Sequence, residues 1–285
     1  MSTVARVTVP MFRARKGQTP LVVVTAYDAP QGRLADAAGV DAILIGDSLG
    51  MTTLGYDTTL PVTLDDLILH ARAVARGQAT RTVEKNASED AVRGARHALL
   101  VGDLPFGSYG ISVEDGVRSG VRMMQEGNVQ AVKVEGASET IEETTRRLVA
   151  LGVPVMAHVG LTPQAVHRFG GFKVQGRTDD EGDRILTDVR RMADAGAFGV
   201  VLELMPSDLA RRITAAVPIP TIGIGAGPDC DGQVQVLHDL LGLTDGRLPR
   251  HAHRYVDAAR VIQTAVSEYA GDVRARRFPT ADNSF

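Results

Sequence analysis

Val40-Asp41-Ala42-Ile43-Leu44-Ile45-Gly46-Asp47-Ser48-Leu49-Gly50 is an apolar run too short for a stable helix, and it stops at Gly-Asp-Ser and a second glycine. The pattern reads as a buried strand that delivers a carboxylate to the rim of a parallel sheet. On this stretch alone, the simpler use for Asp47 is to cap the next helix. Recurrence of the pattern along the chain changes that balance.

Leu21–Thr25 is a first short apolar run, followed by a helical segment from about Pro30 to Ala38 that Gly39 ends. After the quoted stretch, Met51–Thr63 reads as a long polar loop, and Thr63 as the cap of a helix bearing Asp65 and Asp66. Further runs are Ala98–Asp103, Val129–Gly136, Val153–His158, Gly199–Leu204, Ile219–Gly225 and Val234–Asp239. Helical segments (Val117–Gln125, Glu139–Leu151, Glu181–Ala195, Asp208–Ala216) lie between them. Short strands alternating with amphipathic helices mean a parallel sheet with crossovers, and eight such units favour a closed (β/α)8 barrel. An open dinucleotide-binding sheet fits less well. In Gly223-Ile224-Gly225-Ala226-Gly227-Pro228 the third glycine comes one residue early, and proline follows where the helix should begin. A tight turn or a substrate cradle remains for that segment. With no linker or composition break, the expectation is one domain over 1–285.

Composition narrows the function. The chain has 285 residues, 44% hydrophobic and 23% charged, as expected for a globular protein with a sizeable core. Lysine plus arginine number 31 against 34 acids, a net charge of -3, and aromatics are 4% with no tryptophan. That leaves no footprint for nucleic acid or an anionic membrane and no base-stacking platform. No apolar run approaches the roughly 18 residues of a membrane span. The basic N-terminus (Arg6, Arg13, Arg15, Lys16) faintly suggests a transit peptide. It reads better as a helical leader of a cytoplasmic protein. The single cysteine, Cys230, rules out an internal disulfide, and a nucleophilic role with His238 is the weaker reading beside a buried thiol.

In a barrel, the residues that end the strands converge on the active site. Here they are Asp47 and Ser48, Asp103, Lys133 and Glu135, His158 and Glu203. One acid at a strand end is unremarkable, but carboxylates with a lysine and a histidine on five adjacent strands are hard to explain as caps. Crowded carboxylates repel, and a divalent cation resolves this. All-oxygen ligation points to magnesium ahead of zinc. Lys133 and Glu135, two apart on a strand, face the same side, so the lysine can hold a substrate carboxylate or form a Schiff base. An ion pair with Glu135 or Asp103 is its structural alternative. Glu203, inside Val-Val-Leu-Glu-Leu-Met, should be desolvated, which raises its pKa and suits a general base. His158 would orient a substrate oxygen or merely hydrogen-bond in the rim.

Thr25-Ala26-Tyr27-Asp28, Gly46-Asp47-Ser48-Leu49-Gly50-Met51, Asp103-Leu104-Pro105-Phe106 and Lys133-Val134-Glu135-Gly136 occur in order. They are followed by His158–Gln164, Gly170–Arg177, Ile222–Gly227 and Asp231-Gly232-Gln233. Across nearly its whole length the chain resembles the ketopantoate hydroxymethyltransferase family. The resemblance implies a barrel of the phosphoenolpyruvate mutase and isocitrate lyase group. It implies transfer of a one-carbon unit from 5,10-methylenetetrahydrofolate to 3-methyl-2-oxobutanoate, an early step of pantothenate synthesis. By motif it assigns magnesium (Mg2+) to Asp47, Asp103 and Glu135, and keto acid contacts to Asp47 and Ser48, with Lys133 as the substrate-binding lysine and Asp103 and His158 among the substrate-binding residues of the same pocket. Glu203 becomes the proton acceptor. It further implies a ring-based homo-oligomer, with a decamer as the expected size. One departure from the family's pattern is an extra charged segment, Gly77–Gly94, expected on the barrel face away from the chemistry.

Overall fold

The computed structural model describes residues 5–79, 96–244, 246 and 248–285. They form two compact units, 1–235 and 236–285.

The first unit is a closed barrel of eight parallel strands. These are β1 (Leu21–Thr25), β2 (Ala42–Ile45), β3 (Leu99–Asp103), β4 (Ala131–Glu135), β5 (Val155–Gly160), β6 (Gly199–Glu203), β7 (Thr221–Ile224) and β8 (Gly232–Gln235). Each pairs with the next, and β8 closes on β1. The layer of helices includes α1 (Ala29–Ala37), α2 (Leu64–Ala79), α3 (Val113–Gly127), α4 (Glu139–Ala150), α5 (Asp179–Asp194) and α6 (Ser207–Ala216). The apolar runs of the sequence therefore mark the strands, with most ends shifted by a few residues, but the last, expected over Val234–Asp239, forms its strand only over Gly232–Gln235, and Leu237–Leu241 is helical. The loop expected over Met51–Thr63 starts inside a short helical turn, Leu49–Thr52, which takes its first two residues. In Gly223–Gly227 the residues Gly225 and Gly227 take φ of 64° and 83°. Any side chain on Gly227 would strike Ser207, so this segment is a tight turn.

Small branched side chains fill the interior in layers, among them Leu21, Val23, Ala42, Leu44, Leu99, Val101, Ala131, Val201 and Ile222. The basic leader contributes a helix, Val9–Arg13, whose Phe12 joins this cluster and meets Phe198 edge-on at 5.6 Å. Phe12 and Phe198 thus fill the interior at the end where the strands begin.

Gly77 and Gln78, expected to begin the extra charged segment, instead belong to the last turn of α2. An added Cβ on Gly77 would lie 1.9 Å from the Ala29 oxygen, so glycine is what lets α2 pack on α1. Gln78 is wholly buried and donates to Asp36 Oδ1 (2.8 Å) and to the Ala98 oxygen (2.9 Å). Residues 80–94 of that segment lie outside the described residues.

The seam of the barrel is locked by Asp231. Its Oδ1 accepts from the Gly17 N–H and its Oδ2 from the Thr221 N–H and Lys16 Nζ, each at 2.8 Å. Burial opposes the charge, but Lys16 and the donated N–H groups outweigh it and hold the carboxyl below its ordinary pKa. Because the folded value is lowered, this contribution is complete above the unfolded pKa, about 3.9, and is lost as pH falls through the folded value. Asp231→Asn should cost about 2 kcal/mol near neutrality and flatten the acid limb of stability, read from urea unfolding between pH 2.5 and 7. An unchanged acid limb would remove Asp231 from this role.

The second unit holds α7 (Leu237–Leu241) and α8 (Ala258–Arg274), the latter with no buried residue. Its Val261, Ile262, Val266 and Tyr269 are exposed. Among the described residues no helix is long and apolar enough to cross a membrane.

Candidate active site

Strand register brings the polar residues together. Asp103 stands opposite Lys133, Glu135 opposite His158, and Gly160 opposite Glu203. Alternation along each strand puts Val101 and Asp103, Ala131 and Lys133 and Glu135, Met156 and His158, and Val201 and Glu203 on the interior face. The contacts form a continuous chain. Lys133 Nζ lies 3.2 Å from Asp103 Oδ1 and 3.5 Å from Glu135 Oε1. His158 Nδ1 is 3.2 Å from Glu135 Oε1, and its Nε2 is 3.1 Å from Glu203 Oε2, out of line for a hydrogen bond.

Asp47 is not a helix cap. The short turn that follows it has no side-chain cap, and Asp47 is buried with Oδ2 accepting from Gln164 Nε2 at 2.9 Å. Its N–H donates to Asp103 Oδ2 at 3.0 Å, which ties the ends of β2 and β3. Ser48 Oγ shares a 2.8 Å hydrogen bond with the Tyr27 hydroxyl. Glycine at 46 leaves room for this, since a Cβ there would sit 2.9 Å from Ser48 Oγ.

Two residues to which the sequence alone attaches no role, Gln164 from one of the motifs and Tyr109 from outside them, organise this layer. Gln164 donates its N–H to Glu135 Oε2 (3.1 Å) and its amide to Asp47 and to the Leu104 oxygen (3.0 Å). Its Oε1 accepts from the buried Tyr109 hydroxyl at 2.8 Å, and that oxygen in turn accepts from the Glu135 N–H at 2.8 Å. With every amide atom engaged, Gln164 fixes two carboxylates on strands that are not neighbours.

Burial and then the Glu135 charge push Asp47 well above its ordinary pKa. Burial also raises Asp103, moderated by Lys133. Glu135 resists its burial because His158 and Lys133 hold it down at about 2. Burial and Lys133 oppose charge on His158, yet the Glu135 and Glu203 carboxylates outweigh them and hold it up at about 9. Burial works against Lys133 too, but Asp103, Glu135 and Asp47 keep it above the ordinary lysine value, an ammonium rather than a free amine. Glu203 departs from the enclosed apolar setting that its sequence neighbours suggest. Val200 and Leu202 are buried on the opposite face of the strand, while the Glu203 side chain keeps 14% exposure beside His158. Leu204 follows at φ 43°, so the chain turns sharply away after the carboxylate. Cys230 is buried beside Thr214 and Thr221, and burial pushes its thiol up, away from the thiolate that a nucleophile needs.

Among the described residues, no group of three or more His, Cys, Asp or Glu is spaced to hold a metal ion as it stands. Lys133 is within reach of two of the carboxylates instead. The donor set still suits a hard divalent cation. Asp47, Asp103 and Glu135 are buried oxygen donors, and Asp103 Oδ1 faces the Lys133 ammonium at 3.2 Å without a hydrogen bond in good alignment. A cation would also favour the charged form of Asp47, which burial and the neighbouring carboxylates disfavour.

A closed barrel with a buried acid cluster at its strand ends has clear structural relatives. A phosphonopyruvate hydrolase complexed with oxalate and Mg++ superposes with a TM-score of 0.57 at 14% identity, covering 96% of this chain and 92% of that one. A 2,3-dimethylmalate lyase, a member of the PEP mutase/isocitrate lyase superfamily, gives 0.51 at 14% identity over 95% of this chain and 88% of its own. The closed (β/α)8 barrel is thus a fold that these proteins share. Sequence is more specific. The family described as ketopantoate hydroxymethyltransferase matches residues 6–86 and 86–281, and the chain belongs to that family. The 3-methyl-2-oxobutanoate hydroxymethyltransferase of Moorella thermoacetica (strain ATCC 39073 / JCM 9320) is 48% identical over 286 residues, covering 100% of both chains. The enzyme of the same name from Anaeromyxobacter sp. (strain Fw109-5) is 48% identical over 98% of this chain and 88% of its own. The protein is an enzyme of this hydroxymethyltransferase type.

Proposed function

We propose that the enzyme takes the one-carbon unit of 5,10-methylenetetrahydrofolate and adds it to C3 of 3-methyl-2-oxobutanoate. The product is 2-dehydropantoate, and the reaction is the first committed to pantothenate. The observation that carries this reading is the unbroken line of contacts from Asp103 through Lys133, Glu135 and His158 to Glu203. It sets a cationic anchor for a carboxylate at one end and an accessible carboxylate base at the other.

Asp47, Asp103 and Glu135 would hold Mg2+, which, when bound, polarises the keto oxygen and makes the C3 proton more acidic. Lys133 and Ser48 orient the keto acid. Glu203 accepts the C3 proton, and the electron pair of the broken C–H bond forms the new C–C bond to the folate methylene carbon. Water then supplies the hydroxyl as tetrahydrofolate leaves. His158, held charged between Glu135 and Glu203, fixes the direction of the Glu203 carboxylate. A Schiff-base route through Lys133 is disfavoured, because an ammonium held by carboxylates is not a nucleophile.

The test is loss of the C3 deuterium label of 3-methyl-2-oxobutanoate, followed with and without Mg2+ and folate. Mg2+-dependent exchange supports the reading, and exchange that survives EDTA while borohydride traps the protein would replace it with the Schiff-base route. Asp47→Asn should weaken the Mg2+ dependence at least tenfold, and an unchanged Mg2+ titration would remove Asp47 from the metal site. The enzyme works as a cytoplasmic homo-oligomer, a decamer on the family's pattern. The exposed Val261, Ile262 and Val266 of α8 supply apolar surface for assembly.

A further inference from the structure

A cleft of about 440 Å³ opens beside the cluster, between the turns that follow β4 and β5 and the flank of α5. It begins at Gly136 and Gly160, which directly follow Glu135 and stand opposite Glu203. Both glycines take positive φ (91° and 93°), and a Cβ on Gly160 would lie 2.3 Å from the Glu203 oxygen. The backbone therefore turns out of the barrel there and leaves the passage open. A five-carbon keto acid is far too small to fill this space, which lies within the range of about 300–1,000 Å³ that holds drug-sized ligands.

The chemistry of the walls is mixed. Val159, Phe169 and Ile185 are apolar, and Arg168 and Arg184 stand over them. Neighbouring Arg191 and Arg212 are paired with Glu142 and Asp183. Among the described residues neither Arg168 nor Arg184 has a carboxylate within salt-bridge distance. Of the acids in the cleft, Glu181 accepts from the Arg177 and Thr178 N–H groups in a capping box. Asp188 feels Arg168 and Arg191 only through space. Two arginines without a carboxylate partner, Arg168 over the Phe169 ring at 5.8 Å and Arg184 in the same wall, match a ligand with an aromatic middle and a carboxylate-bearing end.

We propose that this cleft seats the p-aminobenzoyl-glutamate tail of the folate co-substrate, with Arg168 and Arg184 taking the glutamate carboxylates. The inference rests on the hydroxymethyl-transfer reading above. It puts the pterin end, which carries the methylene carbon, on the Gly136 and Gly160 side, beside the carboxylate base.

The experiment compares binding of (6S)-tetrahydrofolate with tetrahydropteroate, which lacks the glutamate, by calorimetry on the Mg2+-loaded full chain. Wild type should prefer tetrahydrofolate. Arg168→Met and Arg184→Met should each weaken tetrahydrofolate by about tenfold while leaving tetrahydropteroate unchanged, and the double variant should abolish the preference. Because both probes are read on the same sample, a misfolded variant would be seen as joint loss with a lowered melting temperature, and the other variant then decides. Equal affinity of wild type for both probes, or normally melting variants that keep the preference, would overturn the tail site. If wild type also shows no Mg2+-dependent exchange of the keto acid, the reaction reading itself falls.

Discussion

Glu203→Gln is expected to slow Mg2+-dependent exchange of the C3 proton of 3-methyl-2-oxobutanoate by roughly 10²- to 10⁴-fold, the range for a positioned general base. The amide has the shape of the carboxylate but cannot accept the proton. The substitution leaves the architecture alone, because Glu203 ends β6 on the interior face and its side chain is partly exposed beside His158. Keto acid affinity should therefore change little, and the loss should fall on the rate of exchange measured by proton NMR in deuterium oxide. A loss of affinity with exchange intact would mean that Glu203 holds the substrate and another group takes the proton. Exchange at the wild-type rate would remove it from the chemistry altogether. His158→Gln separates the orienting role from the accepting one. It should lower the rate less than Glu203→Gln does, because the proposed proton acceptor remains.

The barrel and the strand-end residues were legible because both follow from period and position. A buried parallel strand is a short apolar run, and whatever polar residue ends it must sit at the open face, so Asp47, Asp103, Glu135, His158 and Glu203 could be placed without knowing a single contact. Gln164 and Tyr109 could not, although Gln164 lies inside a quoted motif. They come from connecting segments, and nothing in their spacing reports that one amide reaches Asp47, Glu135 and the Leu104 oxygen at once. The surroundings of Glu203 were misjudged for a related reason. Neighbours in sequence lie on opposite faces of a strand, so Val200 and Leu202 say nothing about what touches the carboxylate. Gly77 and Gln78 looked like the start of a charged insertion because the composition changes there. The tight passage against Ala29 and the buried bonds to Asp36 and Ala98 are tertiary facts.

Lys133→Met tests the electrostatics of the site most severely. The side chain is 4% exposed and its ammonium lies among Asp103, Glu135 and, less directly, Asp47. Methionine fills much the same volume, so packing is kept while the buried carboxylates lose their cation. Removing one partner of a buried ionic group costs about 3–5 kcal/mol, because Asp103 is left with neither water nor a nearby cation and Glu135 with His158 alone. That is a large part of the 5–15 kcal/mol that holds a typical domain together. Lys133 and a divalent cation answer the same negative charge, so their effects should not add. In wild type Mg2+ at the proposed site would share Asp103 and Glu135 with the ammonium. In the variant it would be the main answer to those carboxylates, and at a hundredfold excess over its dissociation constant mass action returns about 2.7 kcal/mol. Thermal melts should therefore show the variant well below wild type in EDTA and the gap narrowing as Mg2+ rises, with sodium at matched ionic strength having little effect. Turnover should not recover with stability, since the proposed anchor for the keto acid carboxylate is gone. A variant as stable as wild type in EDTA would mean that the carboxylates take up protons instead of requiring a cation. An identical Mg2+ response in both proteins would move the metal away from Asp103 and Glu135.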